Sequence, residues 1–134
     1  MIEWEYYRNF SASEFHCKCG QCDGSEELLQ EHLVSRLQEL RDKVGFGLRI
    51  TSGVRCSLHP IEAAKVESGR LSPHSTGLAV DIAVRGHQSF AVLKHATDIG
   101  FLGIGVSQQG KSRFIHLDLC DETMGYPRPW VWSY

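Results

Sequence analysis

The sequence predicts an α+β domain, a small antiparallel sheet with helices packed against it. Three observations carry that expectation. Apolar residues alternate at Leu78, Val80, Ile82 and Val84, and again at Ile115, Leu117 and Leu119, which is the two-residue period of half-buried strands. Leu29, Leu33, Leu37, Leu40 and Val44 recur instead at helical spacing. A glycine-rich run at 101–106 is followed by the turn residues 108–111 and at once by the second alternating stretch, the pattern of a β-hairpin.

Taken in order, residues 1–24 show no regular period, and Trp4, Tyr6, Tyr7, Phe10 and Phe15 are expected to lay aromatic surface over the domain. The first helix is expected from Ser25, a suitable cap, with Glu26 and Glu27 in its first turn and Arg41 and Lys43 in its last before Gly45. His32 reads as a surface side chain of that helix. Residues 48–51 form a short strand that runs into Ser52-Gly53-Val54-Arg55. The long connection from 56 to 71 is expected to hold a helical turn or two around 61–66, with Pro60 at the start and Gly69 at the end, and His59 as a bystander.

The second helix spans 86–100, with Phe90, Leu93, Ala96 and Thr97 as its stripe, Val92 and Ile99 beside it, and His87 and His95 toward solvent. In the hairpin that follows, Gly103 and Gly105 are expected to leave open room near His116. The tail from 124 to 134 brings Trp130 and Trp132 over the sheet.

A chain of 134 residues fits one domain, 1–134, able to bury a core without covalent staples. A net charge of -2 argues against a nucleic-acid-binding surface or a basic membrane patch. There is no apolar run of membrane-spanning length, and Met1-Ile2-Glu3-Trp4-Glu5 lacks the basic start and apolar core of a signal peptide. The chain is therefore expected to be made in the cytoplasm.

Five cysteines is an odd number, which argues against a complete disulfide framework. Cys17, Cys19 and Cys22 cluster, while Cys56 and Cys120 lie far off in sequence. Two readings stay open: a structural zinc held by the cluster with Cys56 or His16, or thiols in a tight loop, reduced or partly oxidised. Cys19 and Cys22 have C-x-x-C spacing, but the sequence holds no second such pair to complete a four-cysteine site.

The chemistry concentrates at Ser72-Pro73-His74-Ser75-Thr76-Gly77-Leu78-Ala79-Val80-Asp81. With Leu78, Val80 and Ile82 facing the core, Asp81 falls on the other face among Gly77, Ala79 and Ala83, whose small size leaves room for approach. Phe114, His116 and Asp118 share the corresponding face of the later strand. If the two strands are neighbours, His74, Asp81 and His116 converge. Two imidazoles and a carboxylate suit Zn2+, and three protein ligands leave the fourth tetrahedral position open, as a catalytic site requires. The plainer alternative is a turn cap, a loop hydrogen bond and a satisfied core histidine.

The string S-x-H-x-x-G-x-A-x-D at 72–81, the late His116 and the preceding Ser52-Gly53-Val54-Arg55 resemble the M15 zinc peptidases, the D-alanyl-D-alanine carboxypeptidase and peptidoglycan endopeptidase family. More narrowly, they resemble its short single-domain branch in bacteriophages and bacteria, over about residues 10–119. The resemblance implies a hedgehog/DD-peptidase-like fold, a zinc held by His74, Asp81 and His116, and hydrolysis of peptidoglycan peptides at D-alanine. It also implies that Arg55 clamps a substrate carboxylate or carbonyl and that Ser72 lies beside substrate. A structural salt bridge for Arg55 and an ordinary turn-starting role for Ser72 are the alternatives. A wall substrate further implies delivery by a phage holin or a virion.

The chain departs from the family at one point. Three residues before the last ligand the better-known members carry a carboxylate, whereas this chain has Arg113, which cannot act as a base. Asp118, on the same strand face as His116, is the nearest substitute as acid/base, or it orients the His116 ring. Two competing functions remain: a non-catalytic module of the same fold that binds wall peptide or a protein partner, and a cysteine-based redox or zinc-ribbon protein.

Overall fold

The two alternating stretches form the paired centre of a five-stranded sheet in the computed structural model, which describes residues 1–63 and 72–134. β2 (Ala79–Ala83) and β4 (Phe114–Asp118) run antiparallel, with Asp81 opposite His116 and Ala79 opposite Asp118. β1 (Arg49–Ser52) pairs with the far side of β2, and β3 (Gly103–Ser107) forms the hairpin with β4 that sets Gly105 opposite His116. β5 (Trp130–Ser133) completes the order β1-β2-β4-β3-β5. The expected α+β class holds, but β5 lies parallel to β3, so the sheet is mixed and the tail joins its edge. The reason is the unpaired side of β3: Leu102 O accepts from the Trp130 N–H and Val106 O from the Tyr134 N–H.

The apolar face of the sheet fixes the orientation of the polar one. Val80, Ile82, Ile115 and Leu117 are fully buried with Leu33, Val34, Leu37 and Leu40 of α1 (Glu31–Val44) and Val92 and Ala96 of α2 (His87–Ile99). Burying each Leu, Ile or Val contributes about 1.5–3 kcal/mol. A one-residue slip of β2 or β4 would turn that whole set outward, so the register that presents Asp81 and His116 is the one the core demands.

Both helices differ from expectation in ways that bear on the site. α1 begins at Glu31 rather than after Ser25, which is left-handed (φ 54°) and precedes only a 3-10 turn, Glu26–Leu28. The chain is held away from helical geometry at residue 30, where the Gln30 N–H donates to Gly77 O at 3.1 Å and its side-chain amide to Thr76 O at 2.9 Å. α2 is rolled so that Ser89, Val92, Ala96 and Ile99 face inward and Phe90 is 72% exposed, against the stripe expected from sequence. A buried hydroxyl is tolerated because Ser89 Oγ donates to Gln108 Oε1 at 2.8 Å, and Gln108 in turn donates to Val84 O and Phe114 O. His32 and His87 are exposed and His95 is half-buried.

The N-terminal segment is irregular but docked. Phe15 is buried, with Trp4 and Phe10 rings 5.8 Å away. Tyr7 Oη donates to Glu31 Oε2 at 2.6 Å, and Gln38 and Asn9 exchange two hydrogen bonds, tying the segment to α1. Phe15 O accepts from the Val54 N–H at 3.0 Å, which fastens the segment to the loop after β1. A helical turn runs from Pro60 through 63, and the rest of the expected helix to Val66 and its stop at Gly69 lie outside the described residues.

Candidate metal centre

Three elements bring the site together. Asp81 and His116 face one another across the β2/β4 ladder, and His74 comes from the 3-10 turn Pro73–Thr76 that leads into β2. Gly77 ends that turn in the left-handed conformation (φ 76°), and a Cβ there would run into the Leu28 backbone, so no other residue fits the bend. One donor atom each from His74, Asp81 and His116 lies within 4.8 Å of the others. Asp81 Oδ1 is 3.3 Å from His74 Nε2 and 3.1 Å from His116 Nδ1.

The outward-facing ring nitrogens have their protons assigned by acceptors. Gly53 O lies 2.8 Å from His74 Nδ1 and can only accept, so Nδ1 carries the proton and Nε2 offers its lone pair toward Asp81. Asp118 Oδ2 lies 2.7 Å from His116 Nε2, which leaves His116 Nδ1 as the inward donor. All three groups are buried, and burial pushes the His74 imidazole below its ordinary range despite the opposing pull of Asp81. Burial also opposes ionisation of Asp81, yet its hydrogen bond with His116 Nδ1 outweighs this and holds its carboxyl well below the usual carboxylate range.

Two neutral-capable imidazoles and an ionised carboxylate, aimed at one point and held from behind, make a donor set that fits a divalent cation with nitrogen and oxygen ligands. Arg55 stands at the rim, its Nη2 3.8 Å from Asp81 Oδ2 and its Nη1 3.7 Å from Glu62 Oε1. Among the described residues, Arg55 Nε is the one buried side-chain polar atom with no hydrogen-bond partner, an unused donor beside the centre.

The family model for peptidase M15 matches residues 8–118. This chain belongs to the peptidase M15 family. No curated protein matches the sequence. Membership makes the chain a peptidase by descent, of a metallopeptidase family, and gives the cysteine-based redox reading no support. No helix among the described residues is long and apolar enough to cross a membrane.

Within this M15 domain the remaining residues expected from sequence have particular partners. Ser72 is buried, and both its hydroxyl and its N–H donate to the Glu62 carboxylate. Asp118 is fully buried and engaged on both oxygens, with Arg128 Nε 3.0 Å from Oδ1, Arg128 Nη2 2.7 Å from Oδ2, and the Cys120 N–H also on Oδ1. Burial raises the cost of charging Asp118, but His116 and Arg128 outweigh it and its pKa lies below the ordinary carboxylate range. The open room expected beside Gly103 and Gly105 is filled: a Cβ on Gly103 would meet the Asp118 carboxylate, and one on Gly105 would come 2.6 Å from Trp132 Nε1.

Glu62 and Arg128 are the site's neighbours that sequence reasoning missed, while of the two tryptophans expected over the sheet Trp132 packs on His116 and Trp130 is exposed. Glu62 is fully buried in the connection where the sequence suggested only a helical turn or two, and Arg128 and Trp132 sit in the tail beyond the matched residues, with the Trp132 ring 5.1 Å from that of His116 and Arg128 stacked over Trp132 at 5.2 Å. Only a lone arginine among aromatics, followed by a β-prone W-V-W, hinted at Arg128 and β5.

Proposed function

We propose that this chain is a zinc-dependent peptidase that hydrolyses peptidoglycan stem peptides at D-alanine, as a carboxypeptidase or an endopeptidase, with 1–134 acting as one unit. The observation that carries the reading is the convergence of His74 Nε2, Asp81 Oδ1 and His116 Nδ1 in a chain of this family. These three residues would hold the metal. Bound there, zinc would serve as Lewis acid for the scissile carbonyl and make water acidic enough to attack near neutral pH.

The chain's own residues supply orientation and charge. Asp118 fixes the His116 ring through Nε2, and Arg128 keeps Asp118 ionised while doing so. Arg55, whose Nη2 stands 3.8 Å from Asp81 Oδ2, would offer its guanidinium to a substrate carboxylate or carbonyl, and a two-point contact there suits a terminal D-alanine. Ser72 acts on that clamp through Glu62, which it holds facing Arg55. A wall substrate would reach the enzyme through another component, such as a holin or a virion.

A second reading is favoured by one specific observation. The carboxylates of Asp118 and Glu62 are both fully buried with their oxygens engaged, so neither stands ready to take a proton from water. That pattern also suits a module of the same fold that binds wall peptide without turnover. Purified peptidoglycan and a D-Ala-D-Ala peptide, each incubated with the protein, with chelator, and with Zn2+ restored, separate the two. Chelator-sensitive release of D-alanine or stem peptide, lost in His74→Ala, is expected. Metal-dependent binding with no product under any condition would establish the binding module instead.

A further inference from the structure

We infer that the chain carries a second metal centre, a structural Zn2+ held by Cys17, Cys19, Cys22 and Cys56. The sequence offered no second C-x-x-C, but the fold supplies the fourth thiol from the loop after β1. Cys17 Sγ lies 3.7 Å from Cys56 Sγ, and Cys19 Sγ lies 3.5 Å from both Cys22 Sγ and Cys56 Sγ. All four sulfurs fall within 4.8 Å of one another. Thiolates at the corners of a tetrahedron about 2.3 Å from zinc stand about 3.8 Å apart, whereas disulfide sulfurs are bonded at about 2.05 Å.

The backbone around the sulfurs is arranged for thiolates. The Gln21 N–H points at Cys19 Sγ at 3.3 Å, the Gly24 N–H at Cys22 Sγ at 3.4 Å, and the Cys56 N–H at Cys17 Sγ at 3.4 Å. Amide donors aimed at three of the four sulfurs favour their charged form against burial, which pushes the Cys17 thiol up, and thiolates this close need a cation among them. His16, the other sequence candidate, is turned toward Glu26 at 3.3 Å and is not part of the group. Cys120 stands apart, buried beside Thr76 Oγ1.

Binding exchanges four thiol protons for one Zn2+, leaves all sulfurs at the thiol oxidation level, and gives a centre with no open position, hence structural. Its effect on the fold is specific. Cys56 directly follows Arg55, whose N–H donates to His74 O at 3.2 Å, and Val54 is bonded to Phe15. The second metal therefore staples the N-terminal segment to the loop that carries Arg55 and Gly53, the residue that seats His74.

The test is elemental analysis of the protein purified with reductant, together with Co2+ substitution. Two zinc per chain are expected in the wild type and one each in His74→Ala and Cys19→Ser, with a thiolate-to-cobalt charge-transfer band present in His74→Ala and absent in Cys19→Ser. If Cys19→Ser fails to fold, thiol counting on the wild type decides: four of the five cysteines should react only after chelator strips the metal. A His74→Ala protein free of zinc, iron in place of zinc, or an intact mass four hydrogens low from two disulfides would each overturn the assignment.

Discussion

Asp118 Oδ2 lies 2.7 Å from His116 Nε2, on the side of the ring away from Asp81. A carboxylate in that place sets the tautomer and the aim of His116. It is also held below its ordinary pKa, first against burial and then by His116 and Arg128, which makes it a poor proton acceptor. Asp118→Asn should therefore weaken zinc affinity by about 10–100-fold. Competition against a chromophoric chelator measures this. Full metal affinity with hydrolysis abolished would instead make Asp118 the acid/base.

Arg128 neutralises Asp118 in a fully buried setting, bonded on both oxygens. Arg128→Met should destabilise the fold by about 3 kcal/mol, because it leaves the buried Asp118 carboxylate with His116 as its one charged partner. Adding Asp118→Asn should recover part of that loss. Urea midpoints for the singles and the double provide the comparison, and additive losses would contradict the pairing.

Gly105 lies opposite His116 and against the Trp132 indole, where a Cβ would come 2.6 Å from Nε1. Gly105→Ala should push β5 off its parallel edge and cost about 1–3 kcal/mol. A lower Tm with red-shifted tryptophan fluorescence is expected. An unchanged spectrum would mean that Trp132 does not pack there.

In the metal-free protein burial disfavours charging His116, but its hydrogen bonds to Asp118 and Asp81 outweigh this and raise its pKa above the ordinary imidazole value. The imidazolium therefore stabilises the metal-free fold fully below the ordinary value of about 6.5, and that contribution is lost as pH rises through the raised value. Zinc bound at the proposed centre would have to displace this proton, so affinity should climb about tenfold per pH unit below the His116 pKa. Calorimetry in buffers of different ionisation enthalpy should register the released proton; affinity flat in pH would refute the displacement.

Tyr7 is pushed up to about 12 by its hydrogen bond to Glu31, aided by burial. A raised pKa stabilises the fold fully below the ordinary value of about 10 and ceases to do so as pH rises through about 12. Burial raises Tyr126 and Tyr134 as well, so ultraviolet titration should show Tyr7 among the late tyrosines, and Glu31→Gln should move one of the late ionisations back toward about 10. A titration unchanged by Glu31→Gln would rule out the bond.

The sequence by itself determined the paired strands, the face that carries Asp81 and His116, and the bend at Gly77, because strand alternation and a glycine turn are local rules that each residue obeys with its neighbours. It also marked His74, Asp81 and His116 as a group before any geometry was known. Only the tertiary structure decided that α1 waits until Glu31, that α2 turns Phe90 outward, and that the tail becomes a parallel strand. The same holds for Glu62 beneath Ser72, Arg128 against Asp118, and Cys56 beside Cys17 and Cys19. These contacts join residues 10 to 39 positions apart, and a buried charge or thiol carries no local period; its partner is fixed by which surfaces the core brings together.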